Sequence, residues 1–352
     1  MVLRPRRLRQ PGPGSPTPRA DRRAREIAGG ARGRPPPSGW PRLEGRMRAA
    51  RIHAFGGSEK VKVETIAVPR IKKNAALIRI RAAAVNPVDW MVRERIYNPR
   101  GADKLPLTLG QDFAGVIVQV ASGSATSLRK GDEVLGETWG SFADFAVAPL
   151  KDLVRKPRSL GFVVAASIPM PALTAWQMVI DTAKASPQKT FLIHGASGGV
   201  GSFAAQFAKW KGAHVIATAS RPGFRHLERI GVDVIIDYKK ERFEKKVTGV
   251  DVVIDPIGGD TQKRSWGVLK KGGMLINLIG EIDRAAAARA GVRGVEFGMR
   301  YDTDDLRRIV ALIERGLVRP HVARVFPLGQ VRRALDMNEN GRSHGKIVLR
   351  VA

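Results

Sequence analysis

A glycine-rich segment at positions 195–201, Gly-Ala-Ser-Gly-Gly-Val-Gly, carries the clearest chemical signal in this chain. It follows a short apolar run at 190–193 and opens a segment with helical spacing of its apolar residues, Val200, Phe203, Ala204 and Phe207. In such a strand–turn–helix unit the backbone approaches a pyrophosphate, whose charge is stabilised at the positive end of the helix. We therefore predict that the diphosphate of a dinucleotide binds at Ala196, Ser197, Gly198, Gly199, Val200 and Gly201.

The end of the next strand predicts which dinucleotide binds. The second apolar run, 214–219, ends at Ser220 and Arg221, and the first acid after Gly201 is Glu228, inside the next predicted helix. An acid near the strand end would bind the ribose 2′-hydroxyl of NAD, whereas arginine suits the 2′-phosphate of NADP. The sequence thus favours NADP(H). In so basic a chain Arg221 is alternatively one exposed charge among many, and both interpretations stay open.

These residues must be positioned by two different kinds of structure. From Met47, short alternating strands separated by Gly, Pro and Asn predict a small β-barrel-like domain. From residue 191 strands alternate with helices, which is typical of a doubly wound parallel sheet, and a helix at 302–315 and a closing strand at 345–351 follow. We predict an α/β protein with a barrel domain at 47–170 and 301–352 and a cofactor domain at 171–300.

Residues 1–46 are rich in Arg, Pro and Gly and have no hydrophobic periodicity. Such a segment cannot bury enough apolar surface to offset its ordering entropy, so we predict a disordered extension. It lacks the apolar stretch of a secretory signal, and we expect the protein in the cytoplasm. Alternatively, the functional chain begins at Met47.

The composition excludes several kinds of site. The chain has no cysteine, which excludes disulfides, thiolate metal ligands and a cysteine nucleophile. It has no run of about 18 apolar residues that would predict a membrane span. The formal charge of +29 attracts anions, but only 6% of the residues are aromatic and no basic recognition helix is apparent, which disfavours nucleic acid as a partner.

Six motifs, taken in order, resemble those of the medium-chain dehydrogenase/reductase superfamily and, within it, the zinc-free quinone oxidoreductase branch. They are Asn-Pro-Val-Asp-Trp at 86–90, Leu-Gly-Gln-Asp-Phe-Ala-Gly at 109–115, Lys-Gly-Asp-Glu-Val at 130–134, the turn at 196–201, Asp-Pro-Ile-Gly-Gly at 255–259 and Gly-Lys-Ile-Val-Leu at 345–349. The resemblance implies a GroES-like catalytic domain, a Rossmann domain, and NADPH-dependent reduction of quinones or α,β-unsaturated carbonyl compounds (enones and enals). It also implies a homodimer joined through strands near 274–279 and 292–297.

The residues at the position that holds zinc in related enzymes predict that this chain binds no metal. Their Gly-His-Glu motif corresponds to Gly110-Gln111-Asp112, their cysteine ligand is missing, and no histidine lies at metal-ligand spacing from another. Without a Lewis acid, alcohol oxidation is the weaker hypothesis.

The same resemblance supplies candidate catalytic residues, Asn86 and Tyr97. The Asn86 amide would lie near the nicotinamide ribose or the substrate oxygen, and alternatively Asn86 is a turn residue before a proline. The Tyr97 phenol would donate a hydrogen bond or a proton to a developing enolate, and alternatively it fills a loop. Asp89 is predicted to cap a helix that begins at Trp90.

Further cofactor contacts are also implied by the resemblance. Tyr238 would pack near the adenosine 2′-phosphate, and Leu278, Ile279 and Gly280 would pass the nicotinamide. Lys346 would reach the cofactor across the cleft, unless it is a solvated charge at a strand edge. Two other functions stay open: a catalytically silent NADPH-binding or RNA-binding relative, and a zinc-type alcohol dehydrogenase, which the residues disfavour.

Overall fold

The first part of the described chain consists of short, mostly antiparallel strands. The computed structural model describes residues 45–98, 104–341 and 343–352, so the predicted disorder of residues 1–46 falls almost entirely outside the described residues. The elements here are β1 (Arg46–Ile52), β2 (Val61–Ala67), β3 (Ala75–Val85), α1 (Pro87–Arg93), β4 (Leu107–Thr108), β5 (Asp112–Val120), β6 (Glu133–Glu137), β7 (Phe145–Pro149) and β8 (Leu153–Arg155).

A parallel sheet with helices follows. Its elements are α2 (Phe162–Ala166), α3 (Pro169–Trp176), β9 (Thr190–Ile193), α4 (Gly199–Trp210), β10 (His214–Ala219), α5 (Phe224–Arg229), β11 (Val234–Asp237), β12 (Val250–Asp255), α6 (Asp260–Ser265), β13 (Leu269–Asn277), α7 (Arg284–Ala290) and β14 (Arg293–Glu296). The six strands are ordered β11-β10-β9-β12-β13-β14, and every pair in this sheet is parallel. This order confirms the predicted doubly wound sheet, in which ligands bind at the carboxyl ends of the strands where the order reverses.

The last part of the chain adds two strands to a seven-stranded sheet. It contains α8 (Thr303–Glu314), β15 (Val322–Pro327), α9 (Val331–Glu339) and β16 (Lys346–Arg350). The sheet is ordered β15-β16-β3-β5-β6-β8 with β7 beside β3, whereas β1, β2 and β4 form a separate three-stranded sheet. β16 pairs with β3 so that Ile347 lies opposite Val85, and β3 pairs with β5 so that Ala84 lies opposite Asp112. The antiparallel register therefore brings the ends of three strands, which are far apart in sequence, to one place.

One apolar core is shared by the seven-stranded sheet and the parallel sheet. It includes Ala82 of β3, Phe191 of β9, Phe207 of α4 and Leu306 of α8, all of them buried. α8 contributes to this core because its apolar residues recur at helical spacing and the Asp302 side chain caps its first turn. Residues of both predicted domains contribute to this core, so the core does not mark a boundary between them. The domain boundaries at residues 170 and 300 stay a prediction.

The start of α1 differs from the prediction. Asn86 is the N-cap, and Pro87 opens the helix because a residue at the first helical position needs no N–H donor. Asp89 is therefore inside the first turn, where its Oδ2 accepts a hydrogen bond from the Asn86 backbone N–H at 2.7 Å. The predicted start of the helix at Trp90 was wrong, whereas Asp89 does help to cap the helix, as the third residue of a capping box.

Candidate functional site

Backbone contacts hold the glycine turn between β9 and α4. Gly195 has a φ of +56°, a conformation that favours glycine, and the Ala196 N–H donates to the Thr218 carbonyl of β10 at 3.1 Å. An added Cβ at Gly201 would lie 2.5 Å from the Gly195 carbonyl oxygen and 2.7 Å from the Ala196 Cα. The helix thus packs on the turn at a distance that only glycine permits.

The first turn of α4 can hold an anion. Gly198 is the N-cap, and the N–H groups of Gly199, Val200 and Gly201 begin the helix and so have no intrahelical partner. No acid lies in this turn, and the helix continues for 12 residues. Its N–H groups and its dipole therefore favour a phosphate here.

A cleft of about 410 Å³ lies between this turn and the end of β3 and start of β16 in the seven-stranded sheet. Residues at the carboxyl ends of β9 to β13 form one side of it. The predicted site residues that line the cleft are Asn86, Ser197, Gly198, Gly199, Val200, Gly201, Ser220, Tyr238, Leu278, Ile279 and Lys346. The ones that do not line it are Tyr97, Ala196, Arg221 and Gly280.

Ser220 and Tyr238 follow two neighbouring strands, β10 and β11, on the sheet side of the cleft. The Ser220 Oγ is buried and has no hydrogen-bond partner among the described residues, whereas Tyr238 is half exposed. Arg221 is exposed, and its guanidinium carbon lies 5.1 Å from the centre of the Phe224 ring. An unpartnered hydroxyl and an accessible phenol beside a glycine turn fit the ribose phosphate of a dinucleotide.

Buried polar side chains form the opposite wall. The Lys346 Nζ donates to the Asn86 Oδ1 at 2.6 Å and to the Val85 carbonyl at 2.8 Å. The Asn86 Nδ2 donates to the Asp112 Oδ2 at 3.0 Å, and the Asp112 Oδ1 accepts the Met170 backbone N–H at 3.0 Å. Asn86 and Lys346 are 3% and 5% exposed, and Asp112 is fully buried. An amide thus lies between a buried cation and a buried carboxyl group.

Burial shifts the ionisation of this wall. It raises the pKa of Asp112 to about 6 and that of Asp89 to about 7, and it lowers the pKa of Lys346. In each case the loss of water around the charged form is the largest cause, and the attraction between Lys346 and the two carboxylates opposes it. Both carboxyl groups therefore titrate near neutral pH.

Tyr97 lies apart from these residues. Its side chain is 51% exposed, and its backbone N–H donates to the Met91 carbonyl at 3.2 Å. The segment that follows, 99–103, is outside the described residues. A catalytic role for Tyr97 stays a prediction.

Several residues of the cleft were not predicted from the sequence. Among them are Arg264, Asn338 and His344, which come from three distant segments that no motif connects. His194 also lines the cleft, and its ring nitrogens bond to the hydroxyls of Thr218 and Ser265, each at 3.0 Å. Burial lowers the pKa of His194 to about 3, so the ring is neutral at physiological pH. These contacts are typical of a buried structural histidine whose two ring nitrogens both have hydrogen-bond partners.

Within the part of the chain that the structure describes, no three or more His, Cys, Asp or Glu residues are grouped so that they could hold a metal ion. Asp112, at the position of the glutamate in the Gly-His-Glu motif, bonds to Asn86 and Met170 instead. Among residues 45–98, 104–341 and 343–352, no helix combines the length and the apolar character needed to cross a bilayer.

Comparison with known proteins identifies the family. The family models that match are the alcohol dehydrogenase GroES-like domain, over residues 72–158, and the zinc-binding dehydrogenase, over residues 230–349. The 2-methylene-furan-3-one reductase of Solanum lycopersicum is 32% identical over an alignment of 323 positions that covers 87% of this chain and 80% of the relative. The chain belongs to the medium-chain dehydrogenase/reductase superfamily. A further relative, the chloroplastic NADPH-dependent alkenal/one oxidoreductase of Arabidopsis thaliana, is 33% identical over an alignment of 318 positions that covers 86% of this chain and 79% of that protein.

A solved structure of the superfamily extends the comparison to three dimensions. The quinone oxidoreductase from Coxiella burnetii has a TM-score of 0.80 and 29% sequence identity, and the match covers 87% of this chain and 100% of that one. The predicted membership of the quinone oxidoreductase-like branch, with its GroES-like and Rossmann parts, is confirmed.

Proposed function

We propose that this superfamily member is a zinc-independent, NADPH-dependent oxidoreductase that reduces a quinone or an activated alkene such as an enone or enal. The observation that supports it most is the pair of walls around the cleft. The side formed by the parallel sheet carries the glycine turn and the unpartnered Ser220 hydroxyl. The opposite wall carries the buried Asn86 amide. The two named relatives are a reductase and an NADPH-dependent alkenal/one oxidoreductase.

The residues present fit NADPH. In this proposal the N–H groups of 199–201 hold the diphosphate, and Ser220 and Tyr238 hold the ribose with its 2′-phosphate. Leu278 and Ile279, beyond β13 on the same side, flank the nicotinamide. When bound, NADPH supplies the hydride. NADP is preferred to NAD because no acid follows β10, where it would repel the 2′-phosphate.

The opposite wall, which contains Asn86, Asp112 and Lys346, fits the quinone or the activated alkene. Reduction of an enone or a quinone places negative charge on a carbonyl oxygen, and a buried N–H donor stabilises such an oxygen. The Asn86 amide is the donor of this wall that lines the cleft, and the Lys346 ammonium bonds to its oxygen. The chain's own residues thus supply the charge stabilisation that zinc provides in metal-dependent relatives.

An assay with purified protein tests the proposal. Oxidation of NADPH is followed at 340 nm with a panel of quinones, 2-alkenals and cyclic enones, and NADH is run in parallel. We expect turnover with at least one acceptor and a higher kcat/KM for NADPH. NADPH binding without turnover of any acceptor would instead support the catalytically silent relative. RNA affinity that falls steeply with salt would support the RNA-binding one.

Two finer points belong to the same proposal. We propose a homodimer through β14, because β14 is an edge strand of the six-stranded sheet as the described residues form it. A cytoplasmic location stays a prediction, and the Arabidopsis relative is named as chloroplastic. Light scattering of the purified protein and imaging of a tagged copy test these points.

A further inference from the structure

The buried wall of the cleft contains one amide whose orientation is determined by its neighbours. An ammonium can only donate hydrogen bonds, so the Asn86 atom that faces the Lys346 Nζ at 2.6 Å must be the amide oxygen. The nitrogen of the same amide then faces the Asp112 Oδ2 at 3.0 Å. Asn86 could not turn over without placing its NH₂ group against the ammonium and its oxygen against the carboxylate.

The contacts of the amide leave one donor unused. An amide nitrogen carries two N–H groups, and only the bond to Asp112 uses one of them among the described residues. Asn86 also lines the cleft, although its side chain is only 3% exposed. One N–H of the Asn86 amide therefore has no acceptor among the described residues, and the residue that carries it lines the cleft.

Both neighbours are themselves held in place. Lys346 donates a second hydrogen bond to the Val85 carbonyl, and its stem runs over the glycine turn, since an added Cβ at Gly199 would lie 2.7 Å from the Lys346 Cδ. Asp112 is anchored by the Met170 backbone N–H at the start of α3. The orientation of the amide thus depends on contacts from both sides of the cleft.

We propose that Lys346 and Asp112 are positioning residues that keep the free N–H of Asn86 directed into the cleft, where it binds the carbonyl oxygen of the quinone or enone. The inference rests on the proposed function and adds to it how the carbonyl oxygen is recognised. Lys346 polarises the amide through its oxygen, which makes the N–H a stronger donor. Asp112 prevents the amide from turning over. Neither side chain needs to touch the substrate.

Infrared spectroscopy of a complex that cannot react measures the proposed contact directly. The full-length protein is saturated with NADP⁺ and mixed with cyclohex-2-enone or 1,4-naphthoquinone, each labelled with ¹³C at the carbonyl carbon. A hydrogen bond lowers the stretching frequency of the labelled carbonyl. In the wild type we expect a bound band below that of the free compound, and in Asn86→Ala a band at the unbonded frequency.

The positioning variants separate the inference from a merely structural role. Lys346→Met keeps the length of the stem but removes the donor to Asn86, and Asp112→Asn removes the carboxylate. We expect both to lose most of the frequency shift and to lower kcat about tenfold or more, while KM for NADPH changes less than about twofold. Lys346→Arg, which can still donate to the Asn86 oxygen, should recover part of the shift. Lys151→Met is the control, because that ammonium is exposed on the surface.

Each result has a distinct meaning. A wild type that binds none of the quinones, 2-alkenals and cyclic enones of the activity panel, each tested with the same carbonyl label, would overturn the proposed function and this inference with it. A wild-type shift that survives in both Lys346→Met and Asp112→Asn would overturn the inference alone. The same holds if Lys346→Met abolishes the shift but Asn86→Ala does not, because the ammonium would then contact the oxygen itself. Thermal unfolding of every variant shows which of them are folded, and the arginine variant provides the comparison if Lys346→Met is not.

Discussion

Replacing Gly201 by alanine tests whether the glycine turn is shaped by close backbone packing. The new Cβ would lie 2.5 Å from the Gly195 carbonyl oxygen and 2.7 Å from the Ala196 Cα, and both of these are backbone atoms. Because ordinary contacts begin near 3.4 Å, the turn and the helix must separate by nearly 1 Å. Overpacking of this kind costs about 1–3 kcal/mol. Alanine in place of glycine contributes about 1 kcal/mol of helix propensity in the other direction.

We expect Gly201→Ala to lower the free energy of unfolding by up to about 2 kcal/mol, which corresponds to a fall in Tm of up to roughly 3 °C for a chain of this size. The same movement displaces the N–H groups that bind the diphosphate in our proposal, so affinity for NADPH should fall about tenfold or more. Thermal unfolding measures the first effect, and fluorescence titration of NADPH the second.

A second glycine provides the matched control for this substitution. Gly267 lies in a short 3₁₀ turn with no positive φ, and an added Cβ there would meet no atom within 4 Å. Gly267→Ala should leave Tm within about half a degree and NADPH affinity unchanged, so the loss of affinity is the result that separates the two variants. If Gly201→Ala behaved in the same way, the turn would not be held by the contact described, and the proposed diphosphate site would lose its structural basis.

Three further predictions concern ionisation, cofactor choice and metal. Because burial raises the pKa of Asp89 to about 7 and of Asp112 to about 6, from an ordinary 3.8, the folded state binds more protons than the unfolded state between about pH 4 and 7. The free energy of unfolding should therefore fall as pH rises through that window, by roughly 4 kcal/mol for Asp89, and urea titrations at pH 4 and pH 8 should show a smaller fall in Asp89→Asn. Ser220→Ala and Tyr238→Phe should each raise the Kd for NADPH several-fold with less effect on NADH; equal effects on both cofactors would place the 2′-phosphate elsewhere. Dialysis against EDTA should leave NADPH oxidation unchanged, and stoichiometric zinc whose removal abolishes activity would contradict the zinc-free proposal.

Some predicted residues illustrate why a motif does not determine a contact. Arg221 follows β10 as the phosphate hypothesis requires, yet its guanidinium lies against Phe224 and it does not line the cleft. A basic side chain with four rotatable bonds takes the direction that its surroundings allow, which spacing alone does not show. Tyr97 has the sequence position expected from the resemblance, but it lies in a half-exposed segment beside residues outside the described chain.

The sequence by itself determined the glycine turn, the succession of strands and helices around it and the absence of cysteine ligands, because these depend on local spacing and composition. Only the tertiary structure decided that Asn86, Asp112 and Lys346 form one wall. Their positions differ by 26 and 260 residues, and they meet because β16 and β5 both pair with β3 in registers that align the strand ends. Such a register results from the packing of whole sheet faces, so no short segment of the chain contains it.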